Sequence, residues 1–72
     1  MENGKIFHDR LASVIVASGV KRAALARHLN VTLPELNRWL NGTSAPNVYQ
    51  LKAIAQYFDL PYAWFLDGKE DF

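Results

Sequence analysis

The chain contains no cysteine. That excludes a disulfide, a thiolate metal site and a cysteine nucleophile. It also lacks a long apolar run, so no membrane-spanning helix is expected. The opening residues MENGKIFHDR have no hydrophobic stretch of the kind a secretory signal needs, which makes a reducing cytoplasm the expected compartment. Histidine is scarce. His8 and His28 lie in different predicted helices, with no matched carboxylate or metal-ligand spacing, and Asp9, next to His8, is expected to point elsewhere on the helix. There is no glycine-rich phosphate loop and no pair of acids placed for general acid–base work. The expectation is a protein that is not an enzyme, with no catalytic residue, no metal, no cofactor and no small-molecule substrate.

The 72 residues are enough for one domain spanning 1–72. A chain this short buries only about 60% of its unfolded surface, so its stability margin is thin. Half of the residues are apolar, as in an ordinary folded globule and unlike a disordered chain. The net charge of +1 says little. Its distribution says more. Residues 1–42 hold the bases Lys5, Arg10, Lys21, Arg22, Arg27 and Arg38 against Glu2, Asp9 and Glu35. Residues 43–72 hold Lys52 and Lys69 against Asp59, Asp67, Glu70 and Asp71. The plain reading is a mixed, solvated surface. The asymmetry also fits a molecule with one face toward a polyanion and one face away from it.

Hydrophobic periodicity predicts five helices and no strand. The first covers 5–18, with Phe7, Leu11, Val14, Ile15 and Ser18 on one stripe, Val16 off it, and Gly19 as its stop. The second runs about 22–29 with Leu25, Ala26 and Leu29 inward, and Asn30, tolerant of the left-handed conformation, makes its exit. The third, about 33–41, has the clearest start. Thr32 is a good N-cap, Glu35 completes a capping box, Val31 and Leu36 form a hydrophobic staple, and Pro34 sits in the first turn, where a missing N–H is no loss. Asn41-Gly42 stops it. After the loop TSAPN, Asn47 caps a fourth helix with Gln50 at the box position and Leu51, Ile54, Ala55 and Phe58 inward. Asp59-Leu60 is a break. Pro61 opens a fifth helix that ends at Leu66 and is closed by Asp67-Gly68, and residues 69–72 form a frayed tail.

Residues 22–42 therefore read as two short helices joined by a tight turn, the second one capped. Ala26 is the small residue that lets the two approach closely, and Leu25, Leu29, Val31, Leu36 and Trp39 form the apolar wedge between them. Any small helical hairpin has some of these features. The combination, with polar Asn37 and Arg38 on the outer side of the second helix, is that of a helix-turn-helix, which sets its second helix in the major groove of DNA.

Residues 21–66 resemble the Cro/CI, or Xre, family of bacterial and phage regulators. The resemblance rests on Leu25-Ala26, Leu29, Val31-Thr32, Leu36, Trp39, Gly42, Pro46, Leu51, Ile54-Ala55 and Leu60, in that order. The stretch 61–68 resembles the closing helix of phage-type repressors, and 41–50 is similar to the matching stretch of lambda-type repressors. The chain departs from the pattern at Asn30, where the family usually has glycine, at Arg22, often glutamine, and at Leu33-Pro34, where polar residues are common. The resemblance implies an all-α, five-helix, lambda-repressor-like DNA-binding domain. It implies a phage or prophage-type repressor that binds a palindromic operator as a homodimer.

The first turn of the third helix offers Thr32, Leu33, Pro34, Asn37 and Arg38 for reading bases. Arg38 has the planar fork that matches guanine O6 and N7, and its other readings are a phosphate contact or an ion pair with Glu35. Leu33 and Pro34 are able to pack on thymine methyl groups, or Pro34 simply starts the helix. Asn37 suits adenine or plain solvation. Lys21 and Arg22, at the N-terminus of the second helix, suit a phosphate. So does Asn47, whose plainer role is an ordinary cap. The resemblance adds Asn41 and Gln50 to the backbone clamp, where Thr43 joins them, and places Ser44 near the bases. Tyr62, Trp64, Phe65 and Leu66 are more aromatic and apolar surface than one short helix needs to bury, so they are the expected dimer interface. The plainer reading is that Trp64 and Phe65 close the bottom of the core. A protein-interaction module or an antitoxin-type regulator on the same fold is the alternative function. Both a complete small regulator and the N-terminal domain of a longer one fit the sequence.

Overall fold

The computed structural model describes residues 3–66, with side chains from Phe7 onward. The expected tail and the closing Asp67-Gly68 lie outside the described residues. Five helices follow one another: α1 (Asn3–Ser18), α2 (Arg22–Leu29), α3 (Leu33–Asn41), α4 (Val48–Phe58) and α5 (Tyr62–Leu66). The first begins two residues before the expected residue 5. No strand occurs among the described residues, and no described helix is long and apolar enough to cross a membrane.

The helix ends follow from local chemistry. Asn30 and Asp59 stand at φ 62° and 59°, and Gly19 and Gly42 at φ 75° and 82°. These four left-handed residues stop α2, α4, α1 and α3 respectively. At three of the stops the next N–H reaches back five residues: Val31 to the Ala26 carbonyl at 3.0 Å, Thr43 to Arg38 at 3.0 Å and Leu60 to Ala55 at 2.9 Å. This closure satisfies carbonyls that the helix would otherwise leave unpaired. Val31 and Leu60 then pack against the core. Ser18, expected on the buried stripe of α1, is exposed. Its hydroxyl donates to the Ile15 carbonyl and accepts from the Val20 N–H, both at 3.2 Å, so it works as a stop and not as core.

All five helices feed one core. Phe7, Leu11 and Ile15 of α1, Leu25, Ala26 and Leu29 of α2, Leu36 and Trp39 of α3, Leu51, Ile54 and Ala55 of α4, and Phe65 of α5 are buried together. The long α1 packs on α3 and α5, α2 packs on α3 and α4, and α4 packs on α5. Val16, off the stripe, is 81% exposed. The core thus holds α3 from behind through Leu36 and Trp39 and leaves the opposite side of that helix to solvent.

Candidate nucleic-acid interface

The helix pair α2–α3 closes tightly. Ala26 is 3% exposed at the contact, and Leu25, Leu36 and Trp39 are fully buried around it. The turn between them, Asn30 to Thr32, needs no glycine because asparagine tolerates the left-handed conformation.

The N-cap of α3 departs from its expected form. The Thr32 hydroxyl oxygen accepts from the Glu35 N–H at 3.2 Å, as a cap should. The Glu35 side chain does not return the bond. One of its oxygens, Oε1, takes an Arg38 guanidinium N–H at 2.7 Å, and the other takes the Trp39 indole N–H at 3.0 Å. The reason is competition. A buried indole N–H needs an acceptor, and a guanidinium three residues on offers a charge-assisted bond. At α4 nothing competes, and the capping box is complete: Asn47 Oδ1 accepts from the Gln50 N–H, and Gln50 Oε1 accepts from the Asn47 N–H, both at 2.8 Å. Both side-chain oxygens are occupied, which leaves the two amide NH2 groups to donate.

The exposed side of α3 carries Leu33, 39% exposed, with Pro34 beside it, both exposed as expected. Asn37 is half-buried and Arg38 exposed. Asn37 Oδ1 accepts from Arg22 Nη1 at 3.1 Å. The base-reading candidate and the phosphate candidate are therefore neighbours, and the Asn37 NH2 remains a donor. Lys21 stands at the N-cap position of α2 with no side-chain cap bond. Exposed Lys21 and Arg22 therefore flank first-turn N–H groups that the Lys21 side chain does not cap, an arrangement that favours an anion. Asn41 and Arg22 line one groove of about 190 Å³ with Ala12, Ile15, Val16 and Leu40. Thr43 is exposed, and its hydroxyl donates to the Arg38 carbonyl at 3.2 Å, finishing α3. Ser44, expected near the bases, is half-buried, with its Oγ enclosed and without a hydrogen-bond partner among the described residues.

The fifth helix requires another correction. Phe65, expected at a dimer interface, is fully buried in the single chain, facing Phe7 with ring centroids 6.2 Å apart. Of the three aromatics on this five-residue helix, Phe65 is the one fully buried, while Tyr62 and Trp64 pack at the edge of the core. Trp64 is half-buried, edge-on to Phe65 at 5.0 Å, with the Arg10 guanidinium 4.7 Å from its ring. Tyr62 is half-buried with Lys52 Nζ 6.0 Å from its ring, and Leu66 is 38% exposed. The stacking of Arg10 on Trp64 joins α1 to α5, a contact no periodicity signals. The sequence reading also passed over Val48 and Tyr49, 51% and 82% exposed beside Asn47. Their position off the α4 stripe was the available signal. No cluster of three or more potential metal ligands occurs among the described residues.

Residues 11–65 of this chain match the family model HTH_3, helix-turn-helix. The chain belongs to that family. It is the Cro/C1-type, or Xre, helix-turn-helix family, a class of DNA-binding transcription regulators and not a class of enzymes. Among curated proteins, this helix-turn-helix chain is 27% identical over 64 residues to the HTH-type transcriptional activator BcrR of Enterococcus faecalis. The match takes in 89% of this chain and 31% of BcrR, so the chain spans about a third of that relative's length. Among solved structures, it superposes on the SOS-response transcriptional repressor LexA of Eubacterium rectale with a TM-score of 0.90 at 24% identity. That likeness covers 97% of this chain and 74% of the other, and it establishes the shared all-α helix-turn-helix fold.

Proposed function

We propose that this chain binds double-stranded DNA sequence-specifically as a transcription regulator, with the first turn of α3 in the major groove. The observation that carries the reading is the polar outer side of α3. Asn37 there accepts from Arg22 at the start of α2, where the N-cap Lys21 makes no side-chain cap bond, and Arg38 is exposed next to it in the chain. The amide donors of Asn47 and Gln50 at the start of α4 add further polar groups. In this arrangement Arg38 and Asn37 face base edges, and Thr32, Leu33 and Pro34 pack beside them. Lys21, Arg22, Asn41, Thr43, Asn47 and Gln50 hold phosphates on either side, which positions the protein without specifying sequence.

A single domain of this size makes few contacts, and the TSAPN loop has no lysine or arginine. Two copies on a palindrome, with their α3 helices about 34 Å apart, supply the missing affinity. The exposed parts of Tyr62, Trp64 and Leu66 are the proposed two-fold contact. Occupying an operator in this way represses by blocking polymerase, the action of a prophage-type repressor.

The test is selection from a pool of random duplexes across a salt series, with sequencing of the bound fraction. A palindrome with half-sites about one turn apart, bound more weakly as salt rises, is the expected result. No enriched sequence and no salt-sensitive binding would overturn the reading in favour of a protein-interaction module.

A further inference from the structure

Glu35 is an acid on the helix proposed to enter the groove, where phosphates surround it on both sides. A merely solvated carboxylate there would oppose binding. The ion pair with Arg38 by itself adds little stability, since an exposed pair three residues apart is worth little. What distinguishes it is the second bond. Oε2 is held by the indole N–H of Trp39, a side chain with no exposed surface, and Oε1 holds the Arg38 guanidinium at 2.7 Å. The core thereby fixes the carboxylate, and the carboxylate fixes the arginine.

We infer that Glu35 is a specificity-determining positioning residue, which anchors Arg38 to the buried Trp39 so that the guanidinium meets the base edge already ordered. This rests on the proposed DNA-binding reading. One guanidinium nitrogen faces Glu35, and N–H donors remain for the two acceptors of a guanine. A free arginine would spend its rotamer freedom on binding and would pair equally well with a nearby phosphate. The carboxylate also cancels the arginine's charge at a distance, which lowers attraction to DNA of any sequence. Glu35 thus trades general affinity for discrimination.

The test compares the parent chain with Glu35→Gln, Glu35→Ala, Arg38→Ala and the Glu35→Gln/Arg38→Ala double variant. Each is measured against the selected site, that site with single base-pair changes, and random duplex, across a salt series. Glutamine keeps an oxygen for the Trp39 indole, so the indole resonance and melting temperature of Glu35→Gln report an intact fold. The expected result is severalfold tighter binding of Glu35→Gln to random DNA, with a steeper salt dependence, and about tenfold weaker discrimination at one base pair. That base pair is the one Arg38→Ala affects, and the double variant loses nothing more there. Folded Glu35 variants that keep full discrimination, or lose it at a different base pair, overturn the inference while leaving the DNA-binding reading in place. A parent chain that selects no sequence overturns both.

Discussion

Arg38 in the proposed site and Gly42 in the fold each carry an expectation at the scale of the single residue. Arg38→Ala is expected to cost about 1–3 kcal/mol on the preferred site and to relax preference at one base pair. Binding titrations on matched and mutated duplexes check this, and an equal loss on random DNA would make Arg38 a phosphate contact instead. Gly42 is constrained twice. Its φ of 82° is a conformation that side chains resist, and a Cβ there would lie 3.0 Å from His8 Cδ2. Gly19 shares the positive φ, at 75°, but a Cβ there would meet nothing within 4 Å. Both alanine substitutions pay roughly 1–2 kcal/mol for the left-handed backbone. Only Gly42→Ala must also displace the imidazole, so urea melts should rank it clearly below Gly19→Ala. Equal losses would mean that His8 yields freely.

At the scale of the element, the caps decide how each helix is presented. Asn47→Ala removes a complete capping box and is expected to lose about 0.5–2 kcal/mol of stability. If Asn47 also holds a phosphate, binding weakens by the same factor on every sequence while the salt slope stays unchanged, because a neutral amide displaces no counterion. Thr32→Ala loses a similar cap but lies at the start of the helix proposed to read bases, so its binding loss should vary with sequence. Calorimetric melts together with titrations on selected and random duplexes separate the two contributions. The helices themselves were legible from the chain. Apolar spacing and the residues Thr32, Asn47, Gly19, Asn30 and Gly42 each act within a few positions of where they stand. The fate of the Glu35 side chain was not legible, because the box motif cannot show that a buried indole and a neighbouring guanidinium outbid the backbone for the same carboxylate.

For the whole molecule the margin is small. At 72 residues a total stability of about 4–11 kcal/mol is expected. Phe65→Ala, which empties a fully buried site where α1 meets α5, should cost about 3–5 kcal/mol and leave the chain near unfolding. Leu66→Asp alters a partly exposed residue on the same helix and should leave the melting temperature nearly unchanged. If α5 is the two-fold contact, sedimentation will show monomer and binding to a full palindrome will fall while binding to a half-site holds. A folded Leu66→Asp variant that remains dimeric places the interface elsewhere.

Phe65 also marks where reading the chain stops. Helix existence, the helix limits other than the start of α1, the tight α2–α3 pair and the outward side of α3 are consequences of local propensity, capping and 3.6-residue spacing, and these were present in the order of residues alone. Which of Tyr62, Trp64 and Phe65 turns inward depends on where α1 lies, and no short helix carries that information. The same holds for the Ser44 hydroxyl, enclosed although the residue is only half-buried, and for Arg22, tied to Asn37 fifteen residues on. Those arrangements depend on distances between elements, which are set when five faces compete to fill one small core.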